Sequence, residues 1–213
     1  MQLFLIGKLS ATAEKGRTFM LLPSRLPHYP RLTWLAPFTL LAGCTGVPEG
    51  TQPVSDFRID HYLGQWYEIA RLDHGFEEGL ECVTAEYSRR DDGDIRVINR
   101  GYDPAEQRWE SAEGRASFVG APDVGHLKVS FFGPFYAGYS VLALDDSYQH
   151  ALVAGPDRDY LWILSRDPTL DAPTYTALVS RARELEFPVD ELIQVSQDPE
   201  ACQRTEDVGE APG

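Results

Sequence analysis

The chemistry open to this chain is concentrated in three thiols, Cys44, Cys82 and Cys202, its only cysteines. A thiolate is a nucleophile, an acyl acceptor or half of a disulfide, depending on its surroundings. His61, His74, His126 and His150 are scattered, and no His/Cys spacing matches a metal site. No Gly-x-Ser-x-Gly elbow and no phosphate-cradling glycine loop occurs. The residues therefore point to no metal and no cofactor, and away from hydrolase and nucleotide chemistry.

Cys44 ends the segment Leu41-Ala42-Gly43-Cys44. An apolar run containing Leu32, Trp34, Leu35, Ala36, Phe38, Leu40 and Leu41 precedes it, with Arg25 and Arg31 on the amino-terminal side. A charged region followed by a short apolar one is the order of a secretory signal. Pro37 breaks the run, which is shorter than the roughly 20 apolar residues that a spanning helix needs. The segment resembles a bacterial lipobox. That resemblance implies a diacylglycerol on the Cys44 thiol, removal of residues 1–43, and acylation of the new amino terminus. Each buried methylene contributes about 0.8 kcal/mol, so several acyl chains hold a domain firmly at a bilayer. Residues 1–19 carry a second weak apolar patch, and a start at Met20 leaves an ordinary signal. Thr45, where Asp would imply inner-membrane retention, leans towards the outer membrane, with the domain facing the periplasm.

The whole chain has a formal charge of −14. The segment before Cys44 holds five basic residues and one acid, which leaves the mature chain near −18 with Lys128 as its single lysine. Such a surface repels nucleic acid and anionic head groups. Attachment to a membrane then falls to the lipid anchor. Export would place Cys82 and Cys202 in an oxidising compartment, where a pair is most simply a disulfide.

These thiols must be positioned by short strands. Residues 44–56 are polar, contain Pro48, Gly50 and Pro53, and read as a lipidated tether. Eight strand-like runs follow: Trp66–Leu72, Val83–Ser88, Ile95–Tyr102, Trp109–Val119, Leu127–Phe132, Tyr139–Leu144, Gln149–Ala154 and Tyr160–Ser165. Turn signals such as Asp91-Asp92-Gly93-Asp94 separate them. The expected fold is all-β, an eight-stranded up-and-down antiparallel barrel, which removes sheet edges. Thr174–Glu186 has Tyr175, Leu178, Val179, Ala182 and Leu185 at helical spacing, with Asp171 or Thr174 to cap it, and should pack outside the barrel. Leu192–Gln197 could add a last short strand. Residues 203–213 form an acidic tail expected to be disordered.

The motifs on this frame resemble those of the lipocalin family. Gly64-Gln65-Trp66 matches its first motif, Arg158-Asp159-Tyr160 its second, and Arg166 its third. The resemblance covers roughly residues 54–202, with the domain set at 57–202. It is nearest to the bacterial outer-membrane members and the apolipoprotein D group, whose cysteine positions also match a Cys82–Cys202 bridge. The resemblance implies that Gly64, Trp66, Asp159, Tyr160 and Arg166 serve barrel closure, with the guanidinium stacked on the indole.

Strand alternation selects the lumen. Val83, Ala85 and Tyr87 share one face, and Thr84, Glu86 and Ser88 the other. The same reading turns Val97, Asn99, Leu127, Val129, Phe131, Tyr139, Val141, Ala143, Trp162 and Leu164 inward. Tyr87, Val97, Asn99, Val129, Phe131, Tyr139, Trp162 and Leu164 are the expected ligand contacts. Glu68 shares the phase of Trp66 and would need a partner or a raised pKa. An eight-stranded barrel is wide enough for one small ligand. The implied ligand is a fatty acid or lysophospholipid, held for lipid storage or transport in envelope maintenance, with no catalytic residue. A homodimer is left open. Two alternatives stand beside this reading: an isomerase using Cys82, and a structural lipoprotein whose barrel is filled by side chains. Against the first, Cys82 alternates with Val83 and Ala85 and should face out.

Overall fold

The computed structural model describes residues 45–198 and Cys202. Cys44, the signal segment and residues 203–213 lie outside the described residues.

A four-residue helix, α1 (Ile59–Tyr62), leads into eight strands. They are β1 (Gly64–Arg71), β2 (Glu81–Arg89), β3 (Ile95–Asp103), β4 (Arg108–Phe118), β5 (His126–Ser130), β6 (Ala137–Leu144), β7 (His150–Ala154) and β8 (Leu161–Ser165). Each pairs antiparallel with the next, and β1 pairs with both β8 and β2, so the sheet closes on itself. The expected barrel is therefore present, with every strand-like run on a strand. A short β9 (Ile193–Gln194) adds to the outside of β1.

Closure gives the barrel an inside and an outside, and the sequence fills both. Inside lie Trp66, Tyr87, Ile95, Val97, Ala116, Leu127, Val141, Val153 and Leu164, with Tyr62 and Phe57 below them. Outside, Ala70, Leu142, Leu152, Ala154, Leu161 and Ile163 form a second core under α2 (Ala172–Glu184). The continuous apolar runs of β7 and β8 follow from this, since both of their faces are covered. Of the expected helical stripe, Leu178 and Ala182 are buried. Asp171 caps the helix, accepting from Thr174 N at 3.0 Å. The helix starts two residues before the reading from sequence because Pro173 is tolerated in the first turn.

Of three register shifts in the barrel, the one between Glu81 and Thr84 of β2 leaves Ala85 and Tyr87 facing in, and the other two alter the phase that simple alternation gives. In β1 the register with β8 shifts between Glu68 and Ala70. Glu68 pairs with Leu164 on the lumen side, Ala70 with Ile163 under the helix, and Arg71 with Trp162. Arg71 is thereby turned inward, where strict alternation would send it out. In β6 the register shifts between Val141 and Ala143. Ala143 consequently packs on the outer core and Leu144 on the inner one, which corrects the inward expectation for Ala143.

Residues 45–56, read above as a tether, lie against the barrel. Val54 N donates to Val141 O at 2.9 Å, and Val54 O accepts from Gly125 N at 2.8 Å. Pro48 and Thr51 are buried. Their polar composition hid the fact that backbone pairing needs no apolar side chain. Cys82 and Cys202 form a disulfide with Cα atoms 5.8 Å apart. It pins the chain beyond β9 to the outer wall, where Cys82 N also donates to Ser196 O at 2.8 Å.

Candidate functional site

The loops β2–β3, β4–β5 and β6–β7 gather at one end of the barrel with α1, and that end is shut. Trp66 is fully buried, and its indole donates to Tyr62 O at 2.9 Å. The Arg166 guanidinium lies 3.9 Å from the centre of the Trp66 ring. It also donates to Gln65 O at 2.7 Å, to His61 O and Leu63 O at 2.9 Å, and to Tyr148 O at 3.3 Å. One cation thus satisfies the carbonyls of the strap that α1 draws across the barrel. Gly64 has φ +94°, and a Cβ there would lie 3.4 Å from Arg166 Nη1. A cleft of about 620 Å³ lies outside this end, between Phe57, Arg58, Asp123 and Asp145.

Asp159 and Tyr160 do not join this group. They occupy the β7–β8 turn, at the other end of the five-residue strand β8 from Arg166. At roughly 3.3 Å per residue the strand separates Tyr160 from Arg166 by about 20 Å. Tyr160 instead stacks near Phe76 and Trp162 at the opposite end. Arg158, beside them, donates to Leu185 O at 3.0 Å and Glu49 O at 2.7 Å, tying helix and amino-terminal segment to the turn.

The expected ligand contacts line the interior. Tyr87, Val97 and Leu164 are buried in the inner core, with Val129, Phe131, Tyr139 and Trp162 packed against it. Gly114, opposite Val97, leaves the room that the Phe131 ring fills, since a Cβ there would lie 2.8 Å from that ring. Asn99 pairs with Ala85, and its Oδ1 is buried without a hydrogen-bond partner. Tyr139 stands between Tyr62 and Tyr87, its hydroxyl 2.7 Å and 2.8 Å from theirs. Burial raises the pKa of all three phenols, so they remain neutral donors and acceptors. Tyr62 was missed from sequence because it precedes the first strand.

Near the mouth the lining changes character. Arg71, 1% exposed, donates to Glu68 Oε1 at 2.8 Å and to Glu77 O at 2.5 Å. Trp162 Nε1 donates to Glu77 Oε2 at 3.1 Å. Burial pushes Glu68 well above the usual carboxylate range, and Glu77 adds to the effect while Arg71 opposes it. Glu77 is raised as well, again by burial. Glu68 thus meets both conditions that its inward phase imposed. Glu77 and Arg71 were missed, the first because it sits in a loop, the second because of the bulge.

His74 stacks on Phe76 at 4.0 Å and lies 5.2 Å from Trp162. Neither of its ring nitrogens has a hydrogen bond. Burial, aided by Arg71, lowers its pKa to about 4. An unfolded histidine takes its proton near pH 6.5, so this group's contribution to stability is lost as pH falls from there towards 4. His74→Phe should flatten that part of the profile. Urea midpoints between about pH 7 and pH 4 would report it, and an unchanged slope would mean that other groups set it.

A closed antiparallel barrel, shut at one end by an Arg–Trp stack and lined with apolar side chains, has the frame of a lipid-binding barrel. Residues 57–197 match the Lipocalin-like domain family. The chain is a lipocalin. Its relatives include the outer membrane lipoprotein Blc of Citrobacter freundii, 56% identical over 150 residues, covering 70% of this chain and 85% of the relative. Rat apolipoprotein D is 34% identical over 165 residues, covering 68% of this chain and 85% of the relative. Among solved structures, insecticyanin from the tobacco hornworm Manduca sexta matches with a TM-score of 0.57 at 25% identity, covering 71% and 87% of the two chains. The bacterial relatives are named outer membrane lipoproteins, which agrees with the location implied by the resemblance of residues 41–44 to a lipobox.

Proposed function

We propose that this outer-membrane lipocalin holds one elongated acyl lipid, a fatty acid or a lysophospholipid, and stores or carries it in the cell envelope. The observation that carries the reading is the polarity gradient of the lumen. Aliphatic and aromatic side chains line it from the Trp66 plug upward, and the Glu68–Arg71–Glu77 group stands at the mouth. An acyl tail gains about 0.8 kcal/mol for each methylene placed in such a lining. A polar head would remain near the mouth, beside that group. The isomerase alternative lacks its nucleophile, because Cys82 is bonded to Cys202. The barrel-closing role of Trp66 and Arg166 rests on their stacking and on the strap that Arg166 holds.

Trp162 packs against the inner core while its indole reaches Glu77 at the mouth. Removing the indole should weaken acyl binding roughly tenfold or more, as expected for a large apolar contact. Titration of Trp162→Ala with a fluorescent fatty acid checks this, provided circular dichroism shows the barrel retained. Affinity equal to that of the parent protein would place the acyl chain elsewhere.

A further inference from the structure

Three large apolar side chains are left in solvent on loops of one end of the barrel. Phe76 is 59% exposed on the β1–β2 loop, and Phe132 and Phe135 are 79% and 78% exposed on the β5–β6 loop. In a ring of eight strands, the β1–β2 and β5–β6 loops stand on opposite sides. Phe76 therefore sits across the rim of the mouth from Phe132 and Phe135.

The first described residues of the amino-terminal segment lie along the outside of β5 and β6, the two strands whose connecting loop carries Phe132 and Phe135. Thr45 O receives a hydrogen bond of 2.9 Å from His126 Nε2. The Gly46 carbonyl oxygen occupies the place where a Cβ on Gly138 would stand. Glu49 O is held by Arg158, in the β7–β8 turn at the mouth, at 2.7 Å. Gly138 is three residues from Phe135, at most about 10 Å along the chain. Thr45 is joined directly to Cys44, the residue that would carry the acyl groups. Gly46, against Gly138, and Glu49, against Arg158, thus place this segment beside the rim that carries the exposed rings.

We infer that the rim of the calyx docks on the bilayer that holds the anchor, with Phe76, Phe132 and Phe135 entering a neutral or zwitterionic lipid surface. The charge of the chain selects that class of surface. A mature chain near −18 is repelled by anionic head groups, so rim contact must come from apolar insertion. With the mouth against the bilayer, an acyl chain passes between membrane and lumen without crossing water. Docking rests on the anchor at Cys44 and on the rim, and it does not require that the lumen be occupied. A failure here is therefore distinct from a failure of the acyl-binding reading, which fatty-acid titration reports by itself.

The test uses the full chain, acylated in a Gram-negative host and reconstituted in phosphatidylcholine vesicles. A thiol-reactive fluorophore is placed at F76C, F135C or, at the shut end, D91C, with the native disulfide intact. Quenching by spin-labelled lipid should be at least twofold greater at positions 76 and 135 than at 91, and iodide quenching correspondingly weaker. Exchanging part of the lipid for phosphatidylglycerol should reduce the lipid quenching; an increase would overturn the assignment to a neutral surface. Equal iodide access at all three positions would overturn docking altogether. Shielding at 76 and 135 without lipid quenching, fading as protein is diluted over the vesicles, would assign the rim to a second copy of the chain and also overturn it.

Discussion

Replacing Arg71 with Ala should destabilise the barrel by roughly 3–5 kcal/mol, the range for breaking a buried ion pair by removing one partner. The guanidinium is 1% exposed and sits between Glu68 and the loop that carries Glu77. Without it, two buried carboxyls face each other, and the carbonyls of Glu77 and Leu80 lose a shared donor. The loss should grow with pH. Removing the cation raises the folded-state pKa of Glu68 further, so the folded state binds more protons than the unfolded one over a wider range. Stability then declines as pH climbs from the usual carboxylate value through the raised one. Urea unfolding of Arg71→Ala at about pH 5 and pH 8 should show the larger deficit at the higher pH. Pairing Arg71→Met with Glu68→Gln should recover much of it, because an apolar substitute leaves no uncompensated charge. A deficit under about 1 kcal/mol at both pH values would mean that water reaches the trio freely.

Trp66→Ala is expected to cost a similar amount, about 3–5 kcal/mol, the range for a large aromatic deleted from a core. Two further losses follow from its position. Arg166 loses the ring over which it is centred at 3.9 Å, and Tyr62 loses a ring neighbour at 4.7 Å. Arg166 keeps its carbonyl partners, so the strap formed by α1 should remain in place while the plug beneath the lumen is gone. Trp66→Phe retains most of the apolar contact and should cost clearly less than Trp66→Ala. Thermal unfolding of the three proteins gives the order directly. Equal losses for Phe and Ala would assign the stabilisation to the indole N–H bond to Tyr62 O rather than to packing.

The barrel was legible because its strands are short, their turns are marked by Asp, Gly and Pro, and alternation within a strand is local information. The lumen positions of Tyr87, Val97, Phe131 and Trp162 follow from that alternation without knowledge of the neighbours. Arg71 and Ala143 were illegible for a single reason. A bulge is a relation between two strands, and it reverses the phase of everything beyond it without any signature residue at Ile69 or Leu142. Glu77 and His74 were hidden because a loop has no period from which to read a face. Asp159 and Tyr160 show the limit of carrying motifs together: adjacent in sequence to β8, they lie at the end remote from the residues they were grouped with. The segment 45–56 looked like a tether because its backbone hydrogen bonds to Val141 and Gly125 leave no pattern in a mostly polar sequence.

The central claim is that an acyl chain lies inside the barrel against Trp162. The direct measurement is quenching of tryptophan emission by a stearate brominated in mid-chain, since bromine quenches an indole only in near contact. Beyond Cys44 the chain contains Trp66, Trp109 and Trp162. Saturation with the brominated lipid is expected to quench the parent protein strongly, and the Trp162→Phe variant should lose most of that quenching while still binding the lipid. Binding at saturation with no quenching, or quenching that is the same in parent and variant, would contradict an acyl chain in the lumen beside Trp162.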